Sequence, residues 1–376
     1  MESVKKARRL LLLLPGAAAL LLGLDAALLL LGLPAPLVTE RLPELHGGLL
    51  VLGFVGTLVA AERAVALRRP WGLAAPGLLG AGALLLVSPA PLELGKALLV
   101  LGTLALLGLF AALWRRQPSP WLAIQVLGAG AGAGAAVLWL AGTPVSRFLP
   151  WLVGFLVLTI AGERVELSRL GGAEPGRALG ASWALAAAAV AATLWPGVGH
   201  LALGLALLAL VVVLTREDVA RRTVRASGAP RFMAWCLLGG YLWLAVAGLV
   251  WVLGGPATGG PAYDAVVHAV FVGFVLSMIM AHASVILPAV LRSPLPYHPS
   301  FYAPVVLLHG SLALRLAVGD LRGQEWALQL GGALNIAAVL LFLGLAVSSG
   351  LWARRAEMPS RSPAHEATGP SVEVSR

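Results

Sequence analysis

Residues 264–291 read DAVVHAVFVGFVLSMIMAHASVILPAVL, an apolar run long enough to cross a bilayer as one helix. His268 and His282 lie fourteen residues apart in it, which is about 21 Å of helix rise and about 40° short of whole turns, so a regular helix puts both on one stripe. An imidazole facing lipid is costly, and the stripe should therefore face the protein interior or a bound group. Gly273, Ser277 and Ala281 recur between them at four-residue spacing, leaving room for something flat to approach the backbone. Pro288 should end the stripe. Two readings are open for the pair: ligands to a cofactor, or polar groups bonding neighbouring helices.

The surroundings of this segment set the class. The chain has 376 residues, 59% hydrophobic and 12% charged, the composition of an integral membrane protein. Apolar runs of spanning length number about twelve, at roughly 10–32, 45–67, 72–90, 94–114, 121–142, 148–168, 178–196, 199–215, 232–254, 263–291, 301–319 and 327–352. The fold class is thus all-α integral membrane, residues 1–354, with a polar tail over 355–376 read as disordered and cytoplasmic. No room remains for a soluble catalytic domain.

A formal charge of +10 raises the question of nucleic acid, and the positions of the basic residues answer it. Lys5 to Arg9 precede the first run, Arg68 and Arg69 follow the second, Arg115 and Arg116 the fourth, Arg169 and Arg177 the sixth. Arg216 to Arg231 follow the eighth, Arg292 the tenth, Arg354 and Arg355 the twelfth. With alternating spans all of these share one side. The other side carries little beyond Arg41, Lys96, Arg147 and Arg322. This is the positive-inside pattern, which places both termini in the cytoplasm, excludes a nucleic-acid role and points to a bacterial inner membrane. The first run is too long for a signal peptide and should be retained. The one cysteine, Cys236, excludes an internal disulfide, a thiolate cluster and covalent haem attachment.

Other polar residues in apolar runs are candidates for chemistry. Asp25 should make a structural hydrogen bond or carry protons. His46 opens the second run, followed by Gly47, Gly48, Gly53 and Gly56, a glycine density expected where a ligand or another backbone comes close. Glu62 and Arg63 read as interfacial anchors, Gln125 stands out in otherwise plain scaffold, and His200 reads as solvated at a loop edge. His298 and His365 are weak candidates. The eleventh run carries His309 and Arg315, and Asp320 and Arg322 follow.

A marker also recurs. Gly53-Phe54 is followed nine residues after its glycine by Glu62, Gly154-Phe155 by Glu163, and Gly273-Phe274 by His282. These are runs two, six and ten, which implies three pseudo-repeated four-helix units, about 1–114, 115–215 and 216–354.

Runs two and ten travel in the same direction, so His46 and His268 should sit at similar depth. Two imidazoles so matched suit axial ligation of a haem. Zinc would need further ligands that are not evident. Arg322, Arg315 and Arg147 on the same side could pair with the propionates. His282 and His309 form a second pair at about 13 Å from their helix ends. That pair would either hold copper, iron or a second haem, or bond to neighbouring helices.

The His46-Gly47 start, the HAVFVGFVLSMIMAH segment, twelve spans and a four-helix repeat together resemble the haem-copper oxidase superfamily. They resemble more closely its divergent relative, the NnrS family of haem- and copper-containing membrane proteins linked to nitric oxide and denitrification. The resemblance implies a b-type haem held by His46 and His268, with propionates met by Arg322. It also implies a role in nitric oxide metabolism or tolerance or in respiratory electron transfer, with a small gas, an electron-donor protein or a quinol as partner. The oxidase-type metal-binding histidines of helices six and seven have no counterpart here, and Val270 replaces the second histidine of their His-x-His pair, so the binuclear centre does not carry over. Two other classes remain open. One is a proton-coupled secondary transporter using Asp25, Glu62, Glu163 and His282; the other is an assembly partner without a cofactor.

Overall fold

The computed structural model describes residues 2–168, 174–291 and 295–356. The side chains of 2–12, 284–287, 289–291 and 352–356 lie outside the description. So do Arg169, Arg292, His365 and the expected tail. The described chain is all helical. Twelve of its helices are long and apolar enough to cross a membrane, and the protein is a multi-pass membrane protein. In chain order the spans are Leu13–Leu30, Leu42–Leu67, Pro70–Val87, Leu92–Arg116, Pro120–Leu140, Val145–Ser168, Pro175–Leu194, Pro196–Glu217, Gly228–Gly254, Gly260–Ala283, Pro299–Asp320 and Glu325–Leu351; they are called spans 1 to 12 below.

From span 2 onward, each begins slightly before its apolar run. Pro70, Pro120, Pro175, Pro196 and Pro299 each open a span, because proline lacks only an N–H that the first turn leaves unpaired anyway and its fixed φ suits a helix start. The same effect corrects His200. Instead of lying solvated at a loop edge it is inside the first turns of span 8, buried, with its Nδ1–H donated to the Pro196 carbonyl at 2.8 Å and its ring edge-on to Trp251. Pro288 does not end the helix of span 10, which continues to Leu291.

Large apolar side chains such as Leu101, Trp183, Leu205, Leu242 and Val347 face outward, as lipid requires. Spans 6 and 10 are the most enclosed, with 78% and 61% of their membrane window buried, against 33% for spans 1, 4, 7 and 12. Spans 4 and 5, and spans 8 and 9, pack against each other across the expected unit boundaries, so the units are not separate bodies.

Three stretches widen from α to π geometry: Leu49–Gly56 in span 2, Ala269–Leu276 in span 10 and Arg315–Asp320 in span 11. The first two carry the Gly-Phe marker at the same place, fifth and sixth in each eight-residue stretch. Gly154-Phe155 sits instead in the regular α-helix Val145–Ser168. A π turn takes in an extra residue, and each such residue holds back the angular advance by about 100°. With one inserted, His268 and His282 would fall about 140° apart instead of about 40°; of the two, only His268 lines the cavity described below.

The flat object against the small residues of span 10 is the protein's own. A Cβ on Gly273 would lie 2.4 Å from Trp243 Cγ. Trp243 Nε1–H donates to His309 Nδ1 at 2.8 Å, with the two rings within 8° of parallel. Gly239 leaves the space that the far side of the His309 ring fills. Gly273→Ala should therefore force the indole out of its seat and cost about 1–3 kcal/mol, read as a lower melting temperature in detergent. Gly344→Ala, where a Cβ would meet nothing within 4 Å, should leave it unmoved.

Candidate cofactor site

Spans 1, 2, 6, 10, 11 and 12 enclose a cavity of about 490 Å³, within the range of small-molecule and cofactor sites. Its charged and imidazole groups are Glu44, His46, Asp264, His268 and Arg315. The first four lie in the opening turns of spans 2 and 10 and Arg315 in the closing turns of span 11, so they gather toward the face that carries the 31–41 loop. The remaining wall is largely aliphatic and aromatic, with Phe54, Leu156, Val275 and Val339 among its residues.

His46 and His268 thus open onto one cavity, and each ring is held in one tautomer. The Nδ1–H of His46 donates to the Gly23 carbonyl of span 1 at 2.8 Å. That of His268 donates to the Asp264 carbonyl one turn back, at 2.9 Å, with the Asp264 carboxylate 3.2 Å away. A carbonyl can only accept, so Nδ1 carries the proton in both rings and Nε2 keeps its lone pair. Among the described residues neither Nε2 has a hydrogen-bond donor. Ligating histidines show this arrangement, with one ring nitrogen anchored to a carbonyl or carboxylate and the other left to the metal.

The glycines of span 2 divide by what they meet. Gly48 receives the Trp139 ring, whose Cη2 would lie 2.1 Å from an added Cβ, and Gly53 lets span 2 close on Ala83 and Ala19. Gly47 lines the cavity, and a Cβ there would have only Val145 near it, at 3.9 Å.

Of the expected arginines, Arg315 lines the cavity. It is already bound to the Asp264 carboxylate by Nε at 2.8 Å and Nη2 at 2.7 Å. Its Nη1 makes only a 3.5 Å contact with the Leu328 carbonyl, which leaves that nitrogen for an anionic ligand. Arg322 and Arg147 differ from the expectation: both side chains are exposed and neither lines the cavity, Arg322 lying in the turn after span 11 and Arg147 in the first turn of span 6. Asp264 carried no role in the sequence reading, although its four-residue spacing from His268 is the spacing that brings side chains together on a helix. Asn335 was missed as well. This cavity residue donates through Nδ2 to the Leu308 carbonyl and Ser311 Oγ, leaving its buried Oδ1 without a partner among the described residues.

His282 and His309 do not form a free donor pair. His282 gives Nδ1–H to the Met278 carbonyl at 2.8 Å and accepts from Arg164 Nη1 at Nε2, 3.0 Å. His309 accepts from Trp243 at Nδ1 and bonds Ser277 Oγ through Nε2 at 3.0 Å. All four ring nitrogens are used, because span 9 and span 6 supply donors that no local pattern reveals. No cluster of three or more metal-binding side chains occurs among the described residues.

Toward the opposite, arginine-rich face, the repeat marker comes together. Arg63 Nη2 binds Glu62 at 2.8 Å and Glu163 of span 6 at 3.0 Å. Arg164 forms a two-pronged pair with Asp218, which also accepts from Tyr241 Oη at 2.6 Å and from the Ala220 amide. Glu62 and Arg63, read as interfacial anchors, therefore join span 2 to Glu163 of span 6, while Arg164 joins span 6 to span 10 and to the loop after span 8. Asp25 accepts from the Leu37 amide at 3.2 and 3.4 Å and ties the 31–41 loop to span 1.

Compared with known proteins, the chain matches a family model over residues 9–351, and that family is described as a domain of unknown function, DUF8744. No curated protein and no solved structure matches it. A match over that much of the chain settles membership, and the protein belongs to the DUF8744 family.

Proposed function

We propose that the cavity holds a haem b between His46 and His268 and that the protein carries electrons within a bacterial inner membrane. The observation behind this reading is the pair of imidazoles on one cavity, each with Nδ1–H fixed to a carbonyl and Nε2 left free. The largely apolar walls support this reading, as does Arg315, whose Nη1 is left by its pair with Asp264 as a donor for a propionate. A bound haem would supply one-electron chemistry. His46 and His268 would fill both axial positions, which suits electron transfer better than binding a gas. The nitric oxide role implied by the NnrS resemblance would require one histidine to give way. With both nitrogens of His282 and His309 engaged, the proposal is limited to one haem and no copper.

The test is the reduced-minus-oxidised spectrum and metal content of the full chain purified from haem-replete cells. The expected result is a low-spin b-type spectrum with about one iron per chain. A colourless, iron-free protein overturns the reading. The Glu62–Arg63–Glu163 cluster favours a second reading, a proton-coupled transporter, which a colourless protein driving proton-dependent uptake into vesicles would support.

A further inference from the structure

The two cavity histidines are held unequally. His46 gives its Nδ1–H to one neutral acceptor, the Gly23 carbonyl. His268 faces both the carbonyl and the carboxylate of Asp264, at 2.9 and 3.2 Å. That carboxylate is fixed from span 11 by two bonds from Arg315. Arg315 can take this seat because span 12 has no side chain at two consecutive positions. A Cβ on Gly331 would come within 2.8 Å of Arg315 Cβ, and one on Gly332 within 2.7 Å of its Nη1. Asp320, at the end of span 11, has a buried Oδ2 without a partner among the described residues. One carboxylate is thus built into place behind one imidazole edge, and nothing comparable stands behind the other.

We infer that Asp264 is a positioning residue for His268, its carboxylate acting through the imidazole, against the opposed charge of Arg315, to set how strongly Nε2 donates to a bound iron. The inference rests on the haem reading. A carboxylate behind a ligating imidazole raises the basicity of the ligand. Nearby negative charge favours the more positive, oxidised iron, so Asp264 lowers the reduction potential and Arg315 raises it.

The test is a redox titration, followed optically, of the haem-loaded full chain and its variants, with the ferric electron paramagnetic resonance spectrum as a second readout. Asp264→Asn keeps the backbone carbonyl that orients the ring and removes the charge. It should raise the potential and weaken haem retention about 10–100-fold. Arg315→Gln should move the potential the other way, and Asp264→Glu should return it toward the parent value. A purely structural role would loosen haem in both variants without shifts of opposite sign. Shifts in the same direction, or unmoved potentials at full haem occupancy, overturn the inference. If Asp264→Asn does not accumulate, Asp264→Ser takes its place, a raised potential supporting the assignment and an unchanged or lowered one sinking it. A colourless parent removes the haem reading and this inference together, whereas a coloured parent with unmoved potentials removes only the role of Asp264.

Discussion

Alanine at His268, or at His46, is expected to abolish the low-spin spectrum of the purified protein and leave less than about a tenth of the parent haem. Each imidazole would supply one axial bond, and each Nε2 is free for it because Nδ1 is tied to a carbonyl. Loss of one such ligand from a two-histidine site removes far more affinity than loss of an outer partner, which itself costs about 10–100-fold. The exposed His298 is the control, and His298→Ala should retain full haem. Free imidazole added to the His268→Ala protein during haem loading should restore the low-spin bands, since the truncated side chain leaves a ring-sized space on an existing cavity. Full haem in either alanine variant would sink the assignment of that ligand, and failure of imidazole to restore the bands would trace the loss to collapse of the site.

Arg164→Ala should be the most damaging single change away from the cavity, costing about 3–5 kcal/mol. The guanidinium and the Asp218 carboxylate are 6% and 1% exposed. Removing one partner leaves a buried carboxylate with only Tyr241 and an amide, and it also takes away the donor to His282. Arg177→Ala, whose 71% exposed side chain makes long contacts with Glu174 and Glu217, should change stability by no more than about 1 kcal/mol. Cys236, the chain's one cysteine and fully buried, provides the measurement: its reaction with a thiol-reactive fluorophore during heating marks the loss of packing around span 9. Equal melting temperatures for the two variants would show that the pair contributes little.

The pH dependence of that contribution has a defined sign. Burial by itself would push the Asp218 carboxyl up, but the Arg164 hydrogen bonds and charge, the Tyr241 hydroxyl and the Ala220 amide outweigh it and hold it below the ordinary aspartate value. A carboxyl depressed in the folded state stabilises fully above its unfolded pKa and ceases to as pH falls through the lower folded one. Without Arg164 burial dominates and raises the Asp218 carboxyl of the variant, so the gap between Arg164→Ala and the parent should begin to close as pH falls through that raised value, above the ordinary aspartate range, and be fully closed only below the parent's depressed one.

The sequence by itself determined the membrane class, the twelve spans and the two histidines that share a cavity. Spanning length and hydrophobicity are local properties that every helix in lipid must satisfy alone. His46 and His268 each lie near the start of a span running in the same direction, so direction and depth alone carried them to one level. Tertiary structure decided the rest. The π stretch Ala269–Leu276 interrupts the regular helical periodicity between His268 and His282, and only His268 lines the cavity. Packing chose the partners: Trp243 and Arg164 took the nitrogens of His309 and His282, Asp264 took Arg315, and positions at or beyond a helix end left Arg322 and Arg147 in the open. Those choices depend on which side chains from distant spans meet in space, because in a lipid-filled surrounding each buried polar group must be satisfied by whichever neighbour the fold brings to it.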